Sequence, residues 1–187
     1  MNIFQQYIIN GYLSCTSRRK CMNSDFYAKI MRPFQTHPGY ISIINVLNRI
    51  LTLAGFLFYP ALLVWMAVML DKRFFAFLFL PAFFFLAMSR IRKLINSPRP
   101  YEVYDIQPLI ARDGHGQSFP SRHVFSIFLI GTLWCGTLMP AGIFLLSCGI
   151  LLAMIRVIAG VHFPKDVLCG AALGIFCGAL TLFISAL

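Results

Sequence analysis

Five apolar runs dominate this chain, each bounded by cations, turn residues or proline. They cover residues 50–70, 74–88, 124–138, 141–159 and 167–187. A helix needs about 20 residues to cross the hydrocarbon layer of a membrane. Within lipid every backbone N–H and C=O must find its partner inside the protein, so runs of this kind are expected to be helices. The runs at 74–88 and 124–138 are short for a crossing, which predicts that their helices extend into the polar residues beside them. The expected fold class is all-α, a polytopic membrane helical bundle of five transmembrane helices, with a sixth, N-terminal span as the alternative. Residues 1–187 are read as one membrane domain. Within it, residues 1–49 form an N-terminal interfacial region with a surface helix around 26–34, and residues 50–187 form the transmembrane core.

Composition supports a lipid-solvated surface. The residues are 59% hydrophobic and only 12% charged, and the mean hydropathy is +0.76. Soluble domains lie nearer half apolar and a quarter charged, and 19 Phe would overfill a soluble core of this size. The net charge of +10, from 16 Lys and Arg against 6 Asp and Glu, points to anionic partners. Membrane lipid headgroups and a phosphorylated substrate fit best. Nucleic acid is disfavoured, because neither a soluble basic domain nor an aromatic-studded sheet pattern is visible. Of the six cysteines, four lie inside apolar runs and none has zinc-site or disulfide-framework spacing, so they read as small apolar residues. The order expected of a cleavable signal is reversed at the start, where Arg18-Arg19-Lys20 follows a mildly apolar stretch.

Polar residues gather in three clusters. The first is Arg92-Lys93-Leu94-Ile95-Asn96-Ser97-Pro98-Arg99-Pro100, whose cations alone would read as snorkelling anchors of a span. The second, Ser118-Phe119-Pro120-Ser121-Arg122-His123, directly precedes an apolar run. Ser121 suits an N-cap, and the unpaired amides of a helix start form a ready anion site. A capped helix with an interfacial histidine is the plainer alternative. The third runs from Arg156 through His162 to Asp166. An Arg at membrane depth costs about 2.5–3.5 kcal/mol or more, so Arg156 calls for a partner or an aqueous cavity. His162 and Asp166 are four residues apart near a helix start marked by Pro164. The carboxylate there can accept an imidazole N–H and fix the tautomer, or simply form a structural His–Asp bond. With five spans, segment 96–121 and the turn at His162 fall on one membrane face, so the clusters can meet.

Together they supply two histidines, one carboxylate and several cations, without paired acidic metal ligands. Phosphoryl transfer spreads negative charge over equatorial oxygens that fixed cations can stabilise. One histidine can attack phosphorus while another protonates the leaving oxygen.

At these positions the sequence resembles the type 2 phosphatidic acid phosphatase family, which includes the vanadium haloperoxidases. The family pattern is Lys or Arg, six residues, Arg-Pro; then Pro-Ser-Gly-His; then Ser-Arg, five residues, His, three residues, Asp. Arg92 with Arg99-Pro100 fits the first spacing, with Arg92 rather than Lys93 in register. Pro120-Ser121-Arg122-His123 fits the second with one change, and Arg156, His162 and Asp166 fit the third. The resemblance implies a helical bundle with its site at the membrane boundary, and a metal-independent membrane phosphatase with no cofactor and no metal. Its substrate would be a lipid phosphate or diphosphate. It further implies that His162 is the nucleophile, Asp166 its orienting group and His123 the acid. Arg92, Arg99, Arg156 and Ser121 would bind phosphate with the amides of residues 122 and 123.

Two departures stand out. Ile155 replaces the family's Ser, and Arg122 replaces its Gly. Arg122 is expected to add a cation for a second phosphate, which favours a diphosphate. The compact layout is similar to bacterial undecaprenyl-diphosphate phosphatases, making undecaprenyl diphosphate the favoured substrate and a bacterial plasma membrane the expected location. A lipid phosphotransferase and a degenerate lipid-phosphate-binding protein are the alternatives. Positive-inside reasoning puts the site in the cytoplasm, whereas the resemblance puts it outside. His115, Glu102, Asp105 and Arg112 are read as loop residues without a catalytic role, and His37 as structural.

Overall fold

Among the residues described, the chain forms seven helices and no strand. They are α1 Thr16–Gln35, α2 Pro38–Val68, α3 Phe74–Ile95, α4 Pro100–Val103, α5 Arg122–Cys135, α6 Met139–Ile158 and α7 Pro164–Ala186. This computed structural model describes residues 16–104, 106–111 and 114–187. Cys15, Asp105, Arg112 and Asp113, with the side chains of Arg18, Arg19, Lys20 and Cys21, lie outside the described residues. Proline stands in the first turn of α2, α4, α6 and α7, where its missing N–H costs nothing and its fixed φ suits the helix. Asn96 ends α3 in the left-handed region at φ 43° and returns its N–H to the Arg92 carbonyl.

Helices α2, α3, α6 and α7 are long and apolar enough to cross a membrane. Their outer faces expose large side chains such as Phe56, Phe79, Phe144 and Phe183, as a lipid-solvated bundle requires. Helix α5 is different. Val124, Phe125, Ile127, Phe128 and Leu129 are all buried, and α7, α6, α2 and α3 all pack against it. Little of its surface remains for lipid. Its 14 residues reach about 21 Å at 1.5 Å each.

The expectation that both short runs extend into their flanks holds for α3, which continues through Arg92 and Lys93 to Ile95, and for the start of α5, which takes in Arg122 and His123, but not for the end of α5. Helix α5 starts at Arg122 and stops at Cys135, short of Leu138, because an enclosed helix has no need to reach both membrane surfaces. Helix α2 also begins earlier than its apolar run. His37 is its N-cap and Pro38 its first residue, so Asn45, Asn48 and Arg49 lie within it.

Two contacts show how the helices tolerate polar and cyclic residues. Pro81, inside α3, cannot donate to the Phe77 carbonyl four residues back. The Tyr59 hydroxyl of α2 donates to that carbonyl instead, at 2.9 Å. Asn45 donates through Nδ2 to Leu109 O at 2.9 Å, tying α2 to the polar segment after α4. Helices α5 and α7 approach at backbone distance. A Cβ on Gly170 would stand 2.7 Å from Ser121 O, and one on Gly174 would stand 2.5 Å from Phe125 O.

That close approach sets the site. Helices α3 and α6 end, and α5 and α7 begin, at one end of the bundle. Backbone bonds join the loops there: Ser118 N–H to Ser97 O at 2.9 Å, Leu109 N–H to Ala159 O at 3.1 Å, and Ser121 N–H to Asp166 O at 2.9 Å. The three polar clusters meet on one face, as the topology predicted.

Candidate active site

Each cluster owes its geometry to a local break in helix. After Asn96 turns the chain, Arg92 and Arg99 are both buried, whereas Lys93 is exposed. Arg92 is thus the inward residue, in keeping with the register read from the sequence. Arg92 Nη2 donates to Gln117 O, and Arg99 Nε donates to Gly116 O at 2.9 Å. Each of these bonds uses one of the five N–H donors of its guanidinium.

The third cluster folds around one carbonyl. His162 N–H and Val161 N–H both donate to Arg156 O at 3.2 Å, with Gly160 at φ +73° making the turn. Arg156, His162 and Asp166 are 2%, 1% and 0% exposed. Asp166 Oδ2 lies 3.6 Å from His162 Nδ1, too far for a hydrogen bond of its own. The Ser118 hydroxyl stands between them. It donates to Asp166 Oδ2 and its Oγ lies 3.4 Å from His162 Nδ1. Phe163 N–H donates to the same carboxylate oxygen at 3.0 Å. With Nδ1 occupied on this side, Nε2 is the ring nitrogen able to attack an electrophile.

At α5 the structure corrects one expectation. Ser121 occupies the N-cap position, but its side chain makes no capping bond. Its Oγ is buried and has no hydrogen-bond partner among the described residues. Hydroxyl and helix amides thus remain together at the positive end of α5, where an anion would be held.

Electrostatics follow from burial. The His162 pKa is lowered chiefly by desolvation, and Asp166 opposes this, while Arg99 and Arg156 lower it further. The imidazole is neutral at neutral pH, and both guanidinium groups lie close enough to act on it. Three guanidinium groups are buried at this end, and Asp166 is the one buried carboxylate among the described residues. Buried charge is costly unless balanced, so this end of the bundle suits an anion.

Arg122 and His123 are the first two residues of α5. An apolar groove of about 530 Å³ runs between α2, α3 and α5, lined by both residues together with Thr52, Tyr59, Pro81 and Phe85. Phe56 and Phe85, which also line it, are exposed, so the groove opens on the outer face. Arg122 is itself exposed, with Cζ 5.9 Å from the centre of the Phe85 ring. It is exposed where Arg92, Arg99 and Arg156 are buried. Ile155 packs in the apolar core beside α2.

The sequence reading missed three residues. Ser118 has no role in the sequence pattern, and no spacing rule relates it to Asp166. Tyr27 of α1 donates to His162 O at 3.1 Å. Glu102 was read as a loop residue, yet it accepts Arg99 N–H at 2.7 Å and Gly116 N–H at 2.9 Å. Its signal was legible: proline then an acid three residues past Arg99 is a helix-start pattern. His115, 3.1 Å from Glu102, has a side chain 90% exposed.

The PAP2 superfamily profile matches residues 73–186, more than half of the chain. Two solved structures are similar. LpxE of Aquifex aeolicus is 25% identical with a TM-score of 0.67, covering 85% of this chain and 93% of its own. The first transmembrane PAP2 type phosphatidylglycerolphosphate phosphatase from Bacillus subtilis is 20% identical with a TM-score of 0.68, covering 98% and 93%. No curated protein sequence matches. With its family pattern resting on converged helix ends and its spanning helices lipid-faced, the chain belongs to the PAP2 superfamily and is a multi-pass membrane lipid phosphatase.

Proposed function

We propose that this enzyme hydrolyses a lipid diphosphate, undecaprenyl diphosphate being favoured, through a phosphohistidine on His162 and without a metal. The observation that carries the reading is the excess of buried guanidinium over buried carboxylate around a neutral, buried imidazole. Three fixed cations supply the charge stabilisation that phosphoryl transfer needs. The apolar groove beside His123 supports a substrate with a hydrocarbon chain.

Arg92, Arg99, Arg156, Ser121 and the amides of residues 122 and 123 hold the phosphoryl oxygens. His162 Nε2 attacks phosphorus and forms a P–N bond as the bond to the bridging oxygen breaks, and protonated His123 gives its proton to that oxygen. Water then attacks phosphorus, His123 takes a proton from it, the P–N bond breaks and inorganic phosphate leaves. Asp166, through Ser118, holds the ring in the attacking tautomer. Arg122 sits at the groove beside the exposed Phe85, where it pairs with the second phosphate of a diphosphate headgroup. The Bacillus subtilis neighbour's name makes phosphatidylglycerol phosphate the monophosphate comparison.

Phosphate release from both lipids by the purified protein tests the reading. Wild type is expected to prefer the diphosphate and to keep its rate in EDTA. His162→Ala is expected to lose turnover, and Arg122→Gly to lose the diphosphate preference. Strong inhibition by EDTA, or turnover by His162→Ala, contradicts the mechanism. An unchanged substrate ratio in Arg122→Gly contradicts the diphosphate assignment alone.

A further inference from the structure

The carbonyl of His162 is in an awkward position. It lies just before α7, and the first bonds of that helix go to the next carbonyl: Asp166 N–H and Val167 N–H both point to Phe163 O. A buried carbonyl outside any helix ladder needs another donor. The Tyr27 hydroxyl of α1 provides one, 135 residues away in sequence and 3.1 Å in space.

Tyr27 does more than donate. It is 1% exposed, and its ring meets Phe163 edge-on with centroids 6.2 Å apart. The Tyr104 ring lies 5.8 Å from Tyr27 and 6.0 Å from Phe163. The His162–Phe163 peptide is thus gripped twice, its carbonyl by a hydroxyl and its Phe163 side chain by an aromatic cluster. One turn along α1, buried Met31 covers the same loop, with its sulfur 3.3 Å from where a Cβ on Gly160 would be. Burial, then Asp166 and Tyr104, raise the Tyr27 pKa above the phenol range, so the hydroxyl remains a donor throughout the working pH range.

We infer that Tyr27 is a positioning residue for the nucleophile, and that α1, which precedes the matched family region, is a built-in part of the catalytic end rather than only a surface anchor. The hydroxyl fixes the His162 backbone so that the ring can hold its line toward phosphorus, a step in which sub-ångström placement governs rate. This rests on His162 being the nucleophile.

The test is Tyr27→Phe in the full-length protein, which keeps the ring cluster and removes the hydroxyl. One neutral hydrogen bond is worth roughly a three- to tenfold change. That loss is expected in kcat, with KM for the lipid unchanged because Tyr27 touches no substrate, and with the thermal midpoint close to wild type. Unchanged kcat overturns the inference. So does a loss of kcat that disappears on cooling along with a fall in thermal midpoint, since that reports loosened packing alone. His162→Ala is measured beside it. If His162→Ala is inactive and Tyr27→Phe is fully active, only the positioning role falls. If His162→Ala turns over, the nucleophile assignment falls and takes this inference with it.

Discussion

At His162, burial and two neighbouring guanidinium groups oppose one carboxylate, and the balance lies below the ordinary imidazole value of 6.5. The sign is clear. A ring with a lowered pKa stays neutral, and so able to attack, at pH values where ordinary histidine is protonated. On the acid side, activity is lost as pH falls through the lowered value. The acid limb of kcat/KM is therefore expected below the usual histidine range. Asp166→Asn removes a group that raises this pKa and disturbs the tautomer. It should move the acid limb to still lower pH and reduce kcat by about a hundredfold or more. A pH–rate profile of both proteins checks this, and an upward shift of the limb in Asp166→Asn contradicts the electrostatic account. Side-chain spacing made part of this arrangement readable, since Arg92, Arg99, Arg156, His162 and Asp166 are all buried at one end. The Ser118 bridge was not readable, because its partner lies 48 residues away and only tertiary structure brings them together. Nor was the idle Ser121 hydroxyl, since the residue type predicts a capping bond that the structure does not make.

Helix positions carry a different prediction. The approach of α5 to α7 requires hydrogen at Gly174, where a Cβ would meet the Phe125 carbonyl at 2.5 Å. Backbone cannot yield as a flexible side chain does, so Gly174→Ala must push the helices apart. A cost of about 1–3 kcal/mol is expected, as for other overpacked cores. Because Ser121 and Asp166 are joined across the same pair of helices at 2.9 Å, activity should fall along with the thermal midpoint. A variant as stable and active as wild type contradicts the close packing. Hydropathy made α6 and α7 readable, with ends near those observed, and it placed the start of α3, whose end lies in the polar residues beyond its run. It placed the start of α2 too late because Asn45, Asn48 and Arg49 break the apolar pattern. Asn45 is nevertheless accommodated within the helix, its Nδ2 also donating to Ile41 O at 2.8 Å. It overextended α5, since a run of apolar residues does not reveal whether lipid or protein surrounds it.

For the molecule as a whole, the central fact is charge imbalance in a low-dielectric setting. Among the described residues, one end of the bundle buries three guanidinium groups and one carboxylate, while the far end pairs Asp71 with Arg73 at 2.7 Å. That distant pair is self-contained: Asp71 has its pKa lowered mainly by the Arg73 hydrogen bond. Among the described residues the catalytic end buries more guanidinium than carboxylate, so a tetrahedral anion bound there should stabilise the fold. Saturation at a hundred times the dissociation constant contributes about 2.7 kcal/mol. The thermal midpoint of detergent-solubilised protein should therefore rise with inorganic phosphate or vanadate, and not with chloride at equal ionic strength. His162→Ala retains the three arginines and should still show the rise, because binding does not need the nucleophile. Arg156→Gln removes one of the cations acting on His162, and the rise should shrink or vanish. Equal stabilisation by chloride would mean that the ions act by general screening, and equal stabilisation of Arg156→Gln would mean that the anion binds elsewhere. The outcome expected here separates holding the anion, by the arginines, from attacking it, by the imidazole.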